Sequence, residues 1–324
     1  MTTASNLGRT LIIVNPVAQS GGAATAAAQL RRFLGLYCHD EGAFELVETE
    51  RAGHATDIAR SAAGYDSVLA LGGDGVVHEV ANGLMGIDAA RRPALGVLPV
   101  GSGNDFARTL GIDESSGADF SRLLTYERTP LDILRIECDP GADGEGPRTL
   151  HAVETVSFGL DAAIAIDTYE VRRATGLTGA PLYTLCGLRA FGRSYRDHMA
   201  LVSIDGSRAR EVRAIFLAIQ NGPTYGSGFR ICPDADPADG LMDICHAPGP
   251  VPRAIALPVF LSAKTGRHVH SRHIRMQRAR RIELTFPGTN QPIQVDGERL
   301  SAQRLAIEVV PRALTVLAPR RGRT

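Results

Sequence analysis

Along the first 130 residues, short apolar or alternating runs take turns with stretches of helical spacing. "RTLIIVNP", "FELVETE", "DSVLALGG" and "ALGVLPVG" read as strands, several of them ended by Pro or Gly. Between them lie "AATAAAQLRRFLGL" (residues 23 to 36, with an apolar stripe at Leu30, Phe33 and Leu34), "GHATDIARSAAG", "VVHEVANGLMG" and "NDFARTLGI". These carry helix formers at helical spacing. Strands separated by helices of this length predict βαβ units and a parallel sheet, with ligands beyond the carboxyl ends of the strands.

After Asp132 the pattern becomes β-rich, in "DILRIECD", "RTLHAVETVSFG", "DHMALVSIDGS", "VRAIFLAIQN", "LMDICHA", "RRIELTFPG" and "QPIQVDGERL". Turn signals separate the segments, and helical stretches interrupt only near 169 to 195 and 253 to 264. "DPGADGEGP" (139 to 147) is a solvated hairpin tip, and "RALTVLAPRRGRT" is one more strand with a basic tail. This half is expected to be an antiparallel β-domain of sandwich type. The fold class is therefore α/β, a Rossmann-like α/β domain followed by a β-sandwich.

Composition narrows the picture in a few places. At 324 residues the chain has room for about two domains, taking roughly 150 residues for each. Hydrophobic residues at 44% supply a core, and charged residues at 22% are ordinary for a globular protein. Lys plus Arg equals Asp plus Glu, so global charge selects no partner. Five scattered cysteines without a CxxC pair argue against a disulfide framework or a zinc site, and for a reducing compartment. The apolar run Leu11 to Val14 is too short for a signal peptide, and no run approaches the length of a membrane span. A soluble cytoplasmic protein is expected.

Candidate chemistry starts at "LALGGDGVVHEVANGL" (69 to 84). Gly72, Gly73, Asp74 and Gly75 stand between a strand and a helix, where glycine lets the backbone turn sharply and approach a ligand. The helix that follows aims free N–H groups and its positive dipole end at the turn, which suits phosphate. Asp74 would repel phosphate unless a magnesium ion lay between them. A plain turn with Asp74 as N-cap explains the stretch equally well. A second such turn is "LGVLPVGSGNDFARTL" (95 to 110), with Ser102, Asn104, Asp105 and Arg108, and a third candidate is "VNPVAQSGG" (14 to 22). Three phosphate-compatible strand ends in one sheet weigh against a chance turn.

"NP…SGG", "GGDG…EVANGL", "PVGSGNDFAR" and a late "VDGE" (295 to 298), in this order, resemble the diacylglycerol-kinase-type lipid kinases, which include sphingosine and ceramide kinases. The resemblance spans nearly the whole chain. It implies an ATP-binding α/β domain over residues 1–133 with a returning segment at 308–324, and a β-sandwich lipid domain over 134–307. It implies that Asn15, the 20–22 loop and Thr49 border the nucleotide. Gly72 to Gly75 would cradle the ATP phosphates, with Ser102, Asn104 and Arg108 beside them. Asp74, Asp105 and Asp132 would hold magnesium. Glu298 would be the general base that takes the proton of a lipid hydroxyl, with Asp74 tuning it. Read alone, "VDGERL" is a hairpin turn, and Asp132 in "PLDILRI" is an aspartate starting a strand.

"FRICPDADPADGLMDICH" (229 to 246) resembles a family segment that binds a structural metal, here through Asp239 with Asp236 and Leu241; a metal-free polar turn is the alternative. From 264 to 281 the chain carries seven Lys or Arg, three His and no acid, which suits contact with anionic lipid at the inner membrane face as well as it suits a solvated basic face. Nucleic acid is not expected, since no aromatic residues stand there to stack bases. A homodimer is left open. Most bacterial members have Thr after Gly-Gly-Asp-Gly; here Val76 stands, which removes a hydrogen bond worth on the order of 1 kcal/mol. "GGDGVVHEVANGLM" with "GSGN" is close to the sphingosine-kinase spelling, and "NDFAR" to the bacterial diacylglycerol-kinase one. The expected function is ATP- and magnesium-dependent phosphorylation of a lipid hydroxyl, with diacylglycerol first. A sphingoid base, an NAD kinase and a silent lipid-binding protein follow as alternatives.

Overall fold

The computed structural model describes residues 6–16, 18, 22–37, 43–112, 120–140, 146–288 and 291–320. Ser20 and Gly21 of the 20–22 loop and the basic end 321–324 lie outside the described residues. The chain divides into two compact units, Met1–Leu131 with Arg312–Thr324, and Asp132–Pro311.

The first unit is built from β1 (Thr10–Val14), α1 (Gly22–Tyr37), β2 (Phe44–Glu48), α2 (His54–Arg60), β3 (Ser67–Gly72), α3 (Asp74–Met85), β4 (Ala94–Pro99) and α4 (Asp105–Thr109). The strands pair in parallel in the order β2-β1-β3-β4. Every residue of β1 and β3 is buried, as a parallel strand between two helical layers requires. The chain steps outward from β1 to β2 and back to β3, so a ligand crevice opens where β1 and β3 end. The last strand, β15 (Ala302–Ala318), finishes parallel to β4 through Val316↔Leu95 and Leu317↔Gly96. The guanidinium of Arg92 donates to the carbonyls of Leu84, Ile87 and Ala313, which ties this strand end to the α3–β4 connection.

The second unit takes over within β5 (Glu127–Pro140) and continues with β6 (Arg148–Ala152), β7 (Thr155–Gly159), α5 (Leu160–Thr175), α6 (Gly179–Arg193), β8 (His198–Ile204), β9 (Arg210–Gln220) and β10 (Met242–Pro248). Then follow α7 (Arg253–Ser262), β11 (Arg275–Ala279), β12 (Arg281–Thr285), β13 (Ile293–Val295) and β14 (Glu298–Leu300). β9 is the hub, antiparallel to β8, β7 and β10. Alternation along β10 sends Met242 and Ile244 into the sandwich core with Phe158, Leu217, Ile282 and Leu305. It sends Cys245 and Ala247 into a second core under α5, α6 and α7. Phe158 and Phe286 meet edge-on, 5.2 Å apart, in the sandwich core.

Three elements differ from the sequence pattern. α5 begins at Leu160, directly after β7, because Gly159 (φ 99°) turns the chain at once from strand to helix. "RTLHAVETVSFG" breaks into β6 and β7 at Val153–Glu154. β11 lies inside the basic stretch, where four of its five residues are exposed and no apolar alternation marks a strand. No described helix is long and apolar enough to cross a membrane.

Candidate active site

Parallel pairing brings four strand ends to one edge of the first unit. Val14 is level with Glu48 and Leu71, and Gly72 with Pro99. Asn15 and Thr49 follow immediately: the Asn15 N–H donates to the Leu71 carbonyl at 3.3 Å and the Thr49 N–H to Val14 at 2.8 Å. The turn Gly72–Gly75 and the turn Gly101–Gly103 therefore stand side by side, held by a bond from Val100 N–H to the Gly72 carbonyl at 2.8 Å. Their contact depends on missing side chains. A Cβ on Gly101 would lie 2.4 Å from the Gly73 Cα, and one on Gly72 would lie 2.8 Å from Val76 Cγ2. α3 starts at Asp74 with Gly73 as N-cap and no side-chain cap, so backbone N–H groups and the dipole face the turn. Anion binding is what such a place does.

Two acidic residues of this unit, Asp74 and Asp105, meet at the second turn. Asp74 Oδ1 accepts the Phe106 N–H at 3.3 Å, in the first turn of α4. A Cβ on Gly103 would sit 2.6 Å from Asp74 Oδ2 and 3.5 Å from Asp105 Oδ2. Two carboxylates thus border a space that only glycine leaves open. Asp105 is buried and paired with Arg108 at 2.7 Å, while the same guanidinium donates to the Gly103 carbonyl at 3.1 Å. Asn104 takes a left-handed φ of 53° and donates its amide to the Gly101 carbonyl at 3.0 Å. Ser102 is half-buried in the same loop.

In the second unit Glu298 opens β14, exposed, just past the Asp296–Gly297 turn. Both turn residues have positive φ (47° and 92°), as a two-residue hairpin of this twist requires. Asp296, which the sequence marks only as the Asp of an Asp-Gly turn, also fixes the hairpin through its side chain. Its carboxylate accepts the N–H groups of Val153, Glu154 and Thr155 at 2.9 to 3.0 Å. Those partners lie more than 140 residues away, so no local signal reveals them.

Asp132 belongs to this unit as well. Its Oδ2 accepts the Gly240 N–H at 2.6 Å, its N–H donates to Pro237, and its carbonyl accepts the Asn221 amide. It is engaged with the 236–241 turn. In that turn Asp236 Oδ1 accepts the Ala238 N–H at 3.2 Å and Asp239 Oδ1 the Leu241 N–H at 3.0 Å. The other Asp239 oxygen is bonded to the guanidinium of Arg278, which also lies 3.5 Å from Asp243. Each oxygen of Asp239 is thus engaged within the protein, one by a backbone donor and one by a guanidinium. Among the described residues no group of three or more His, Cys, Asp or Glu side chains forms a metal cage.

α5, α6 and α7 enclose an apolar pocket with about 60 Å³ of open space, lined by Leu160, Ile164, Phe191, Val259 and Phe260 among others. One carboxylate stands in it. Asp161 Oδ2 accepts the Tyr225 hydroxyl at 2.6 Å, and burial pushes the Asp161 pKa up to about 6 against the opposing pull of Tyr225 and Ser157. Neither Asp161 nor Tyr225 carries a motif that sequence reasoning could single out.

Comparisons with known proteins agree with both halves. A family model of the diacylglycerol kinase catalytic domain matches residues 9–136, and one of the YegS C-terminal NAD kinase beta sandwich-like domain matches residues 154–318. A diacylglycerol kinase of Mycobacterium tuberculosis is 31% identical over 268 residues, covering 82% of this chain and 80% of that protein. A crystal structure of a diacylglycerol kinase from Bacillus anthracis shares the fold with a TM-score of 0.69 at 19% identity, over 98% of this chain and 99% of that one. Yeast NADH kinase complexed with NADH shares it more distantly, with a TM-score of 0.52 at 12% identity over 96% of this chain and 84% of that one. The chain belongs to the diacylglycerol-kinase-type lipid kinase family, and it is a lipid kinase.

Proposed function

We propose that this enzyme transfers the γ-phosphate of ATP to the hydroxyl of a lipid alcohol, diacylglycerol first, giving phosphatidic acid. The observation that carries it is the contact of the Gly73 and Gly101 turns at the uncapped start of α3, with two carboxylates beside them. In this reading Asn15 and Thr49 border the nucleotide, and the N–H groups of Gly72 to Gly75 with Ser102 and Asn104 hold its phosphates. Asp74 and Asp105 fit a magnesium ion, because their oxygens border the space that Gly103 leaves open. Bound there, magnesium would offset the charge on the transferring phosphate. Arg108 is assigned to positioning Asp105, since that pair and the Gly103 carbonyl already use its guanidinium. Asp132 is assigned to fixing the 236–241 turn, for the same kind of reason.

Glu298 is the proposed base. Its carboxylate takes the hydroxyl proton while the lipid oxygen forms a bond to the γ-phosphorus, and the bond from that phosphorus to ADP breaks. The Asp296 hairpin holds Glu298 in place without touching substrate. The apolar pocket suits the start of an acyl chain.

The test is γ-labelled ATP with magnesium and a panel of dispersed diacylglycerol, sphingosine, ceramide and soluble NAD. Label in diacylglycerol is expected. Label confined to sphingosine or ceramide moves the substrate, and label only in NAD contradicts lipid transfer.

A further inference from the structure

We propose that α7, with the cation-rich chain after it, is the surface by which this enzyme docks on an anionic lipid bilayer. Eight of the ten α7 residues, from Ala254 to Leu261, are apolar, yet none of the ten is fully buried. A helix of a soluble core buries its apolar stripe and turns charge outward. α7 does neither. Ile255, Val259 and Phe260 pack partly onto the helical core, and the far side of α7 carries no compensating charge. Gly187 of α6 lets the Phe260 ring approach to within 3.1 Å of where a Cβ would stand. Leu188 and Leu261, each next in sequence to one side of that contact, are 53% and 52% exposed.

Along the chain on either side of α7 the charge is of a single sign, although Asp197 and the Asp167–Arg189 pair come near from other elements. From residue 244 to residue 282 the chain has no Asp or Glu and eight Lys or Arg, in a protein whose net charge is zero. Arg278 and Arg281 are spent on Asp239, Asp243, Glu283 and Glu308. Arg253 at the start of α7, and Lys264, Arg267 and Arg272 after its end, are exposed and make no ion pair with another described residue. Arg253 also lies over the Tyr195 ring and Arg272 donates to His273, but neither contact neutralises the charge. An apolar helix flanked along the chain by exposed cations suits an interface with anionic headgroups. A nucleic acid would use the cations and leave Leu188 and Leu261 in water, with no aromatic side chain from 264 to 281 to stack a base. Ala256, Val259 and Phe260 also wall the apolar pocket, so the docked face and the pocket share one helix.

The inference extends the lipid-kinase reading, and its test reads binding rather than transfer, so either can fail while the other stands. The chain contains no Trp, so Leu261→Trp gives a single probe at the patch. With vesicles of phosphatidylglycerol and phosphatidylcholine, its emission is expected to shift to the blue and to be quenched by lipids brominated on their acyl chains. Phosphatidylcholine vesicles alone are expected to leave it unchanged. Lys264→Glu with Arg267→Glu is expected to weaken vesicle binding by about tenfold or more, with Tm and transfer to detergent-dispersed lipid unchanged. Four results overturn the proposal: no binding to the anionic vesicles, binding without an emission shift, binding that ignores the charge reversal, or emission already blue-shifted and concentration-dependent before lipid is added, which assigns the face to a second copy of the chain.

Discussion

Val76 fills the space over Gly72, with its Cγ2 at 2.8 Å from where a Gly72 Cβ would stand. A buried methyl group thus fills this place, and in the proposed site the groups that face phosphate are backbone N–H groups. Val76→Thr is therefore expected to lower stability by about 1 kcal/mol through a buried hydroxyl and to leave the kinase rate within a few-fold, as read by urea titration and steady-state kinetics. Asp161 gives a pH-dependent signature. Burial raises its folded pKa to about 6, above the unfolded carboxyl, so the native state keeps this proton over a pH range in which the unfolded chain has lost it. Its contribution to stability is full below the unfolded pKa and is lost as pH rises through about 6. Asp161→Asn keeps an acceptor for the Tyr225 hydroxyl and removes the charge. It is expected to exceed wild type in stability at pH 8 by on the order of 2 kcal/mol, with the difference vanishing near pH 4. Asp243, also raised to about 6 by burial, titrates in both proteins and cancels in the comparison.

At the scale of elements, the two glycine turns are the part that side chains would disrupt. Gly101→Ala places a methyl group 2.4 Å from the Gly73 backbone, and backbone cannot rotate away. Its kcat/KM for ATP is expected to fall about a hundredfold or more, on the scale of losing several phosphate-facing hydrogen bonds. Gly35→Ala in α1, where nothing lies within 4 Å, serves as the control and is expected to stabilise by about 0.5 to 1 kcal/mol. The strand–helix alternation that places these turns was legible, since β1 and β3 run apolar after their first residues, Thr10 and Ser67, and α3 follows its glycines directly. What escaped had a physical reason in each case. β11 pairs through its backbone while showing polar side chains to solvent, so its pattern reads as a charge run. Asp296 makes its contacts at a separation only the folded sandwich closes. The Arg278–Asp239 pair was invisible because an arginine on an edge strand meets a turn 39 positions earlier.

At the scale of the whole molecule, neutral net charge hides a stretch of one sign, since residues 244 to 282 hold eight Lys or Arg and no acid. Family membership explains why a nucleotide-type parallel sheet and a sandwich with a helical apolar pocket occur in one chain. In the proposed reaction one substrate gives up phosphate, and the other is a chain-bearing alcohol. The most direct measurement is recovery of γ-label from ATP in the organic phase after incubation with magnesium and diacylglycerol, comparing wild type with Glu298→Gln at saturating ATP. Label should pass into phosphatidic acid with wild type and fall about a thousandfold or more with Glu298→Gln, while ATP affinity stays within twofold or so. Equal transfer by both proteins contradicts the assignment of the base, and no transfer to any lipid by wild type contradicts the proposed reaction.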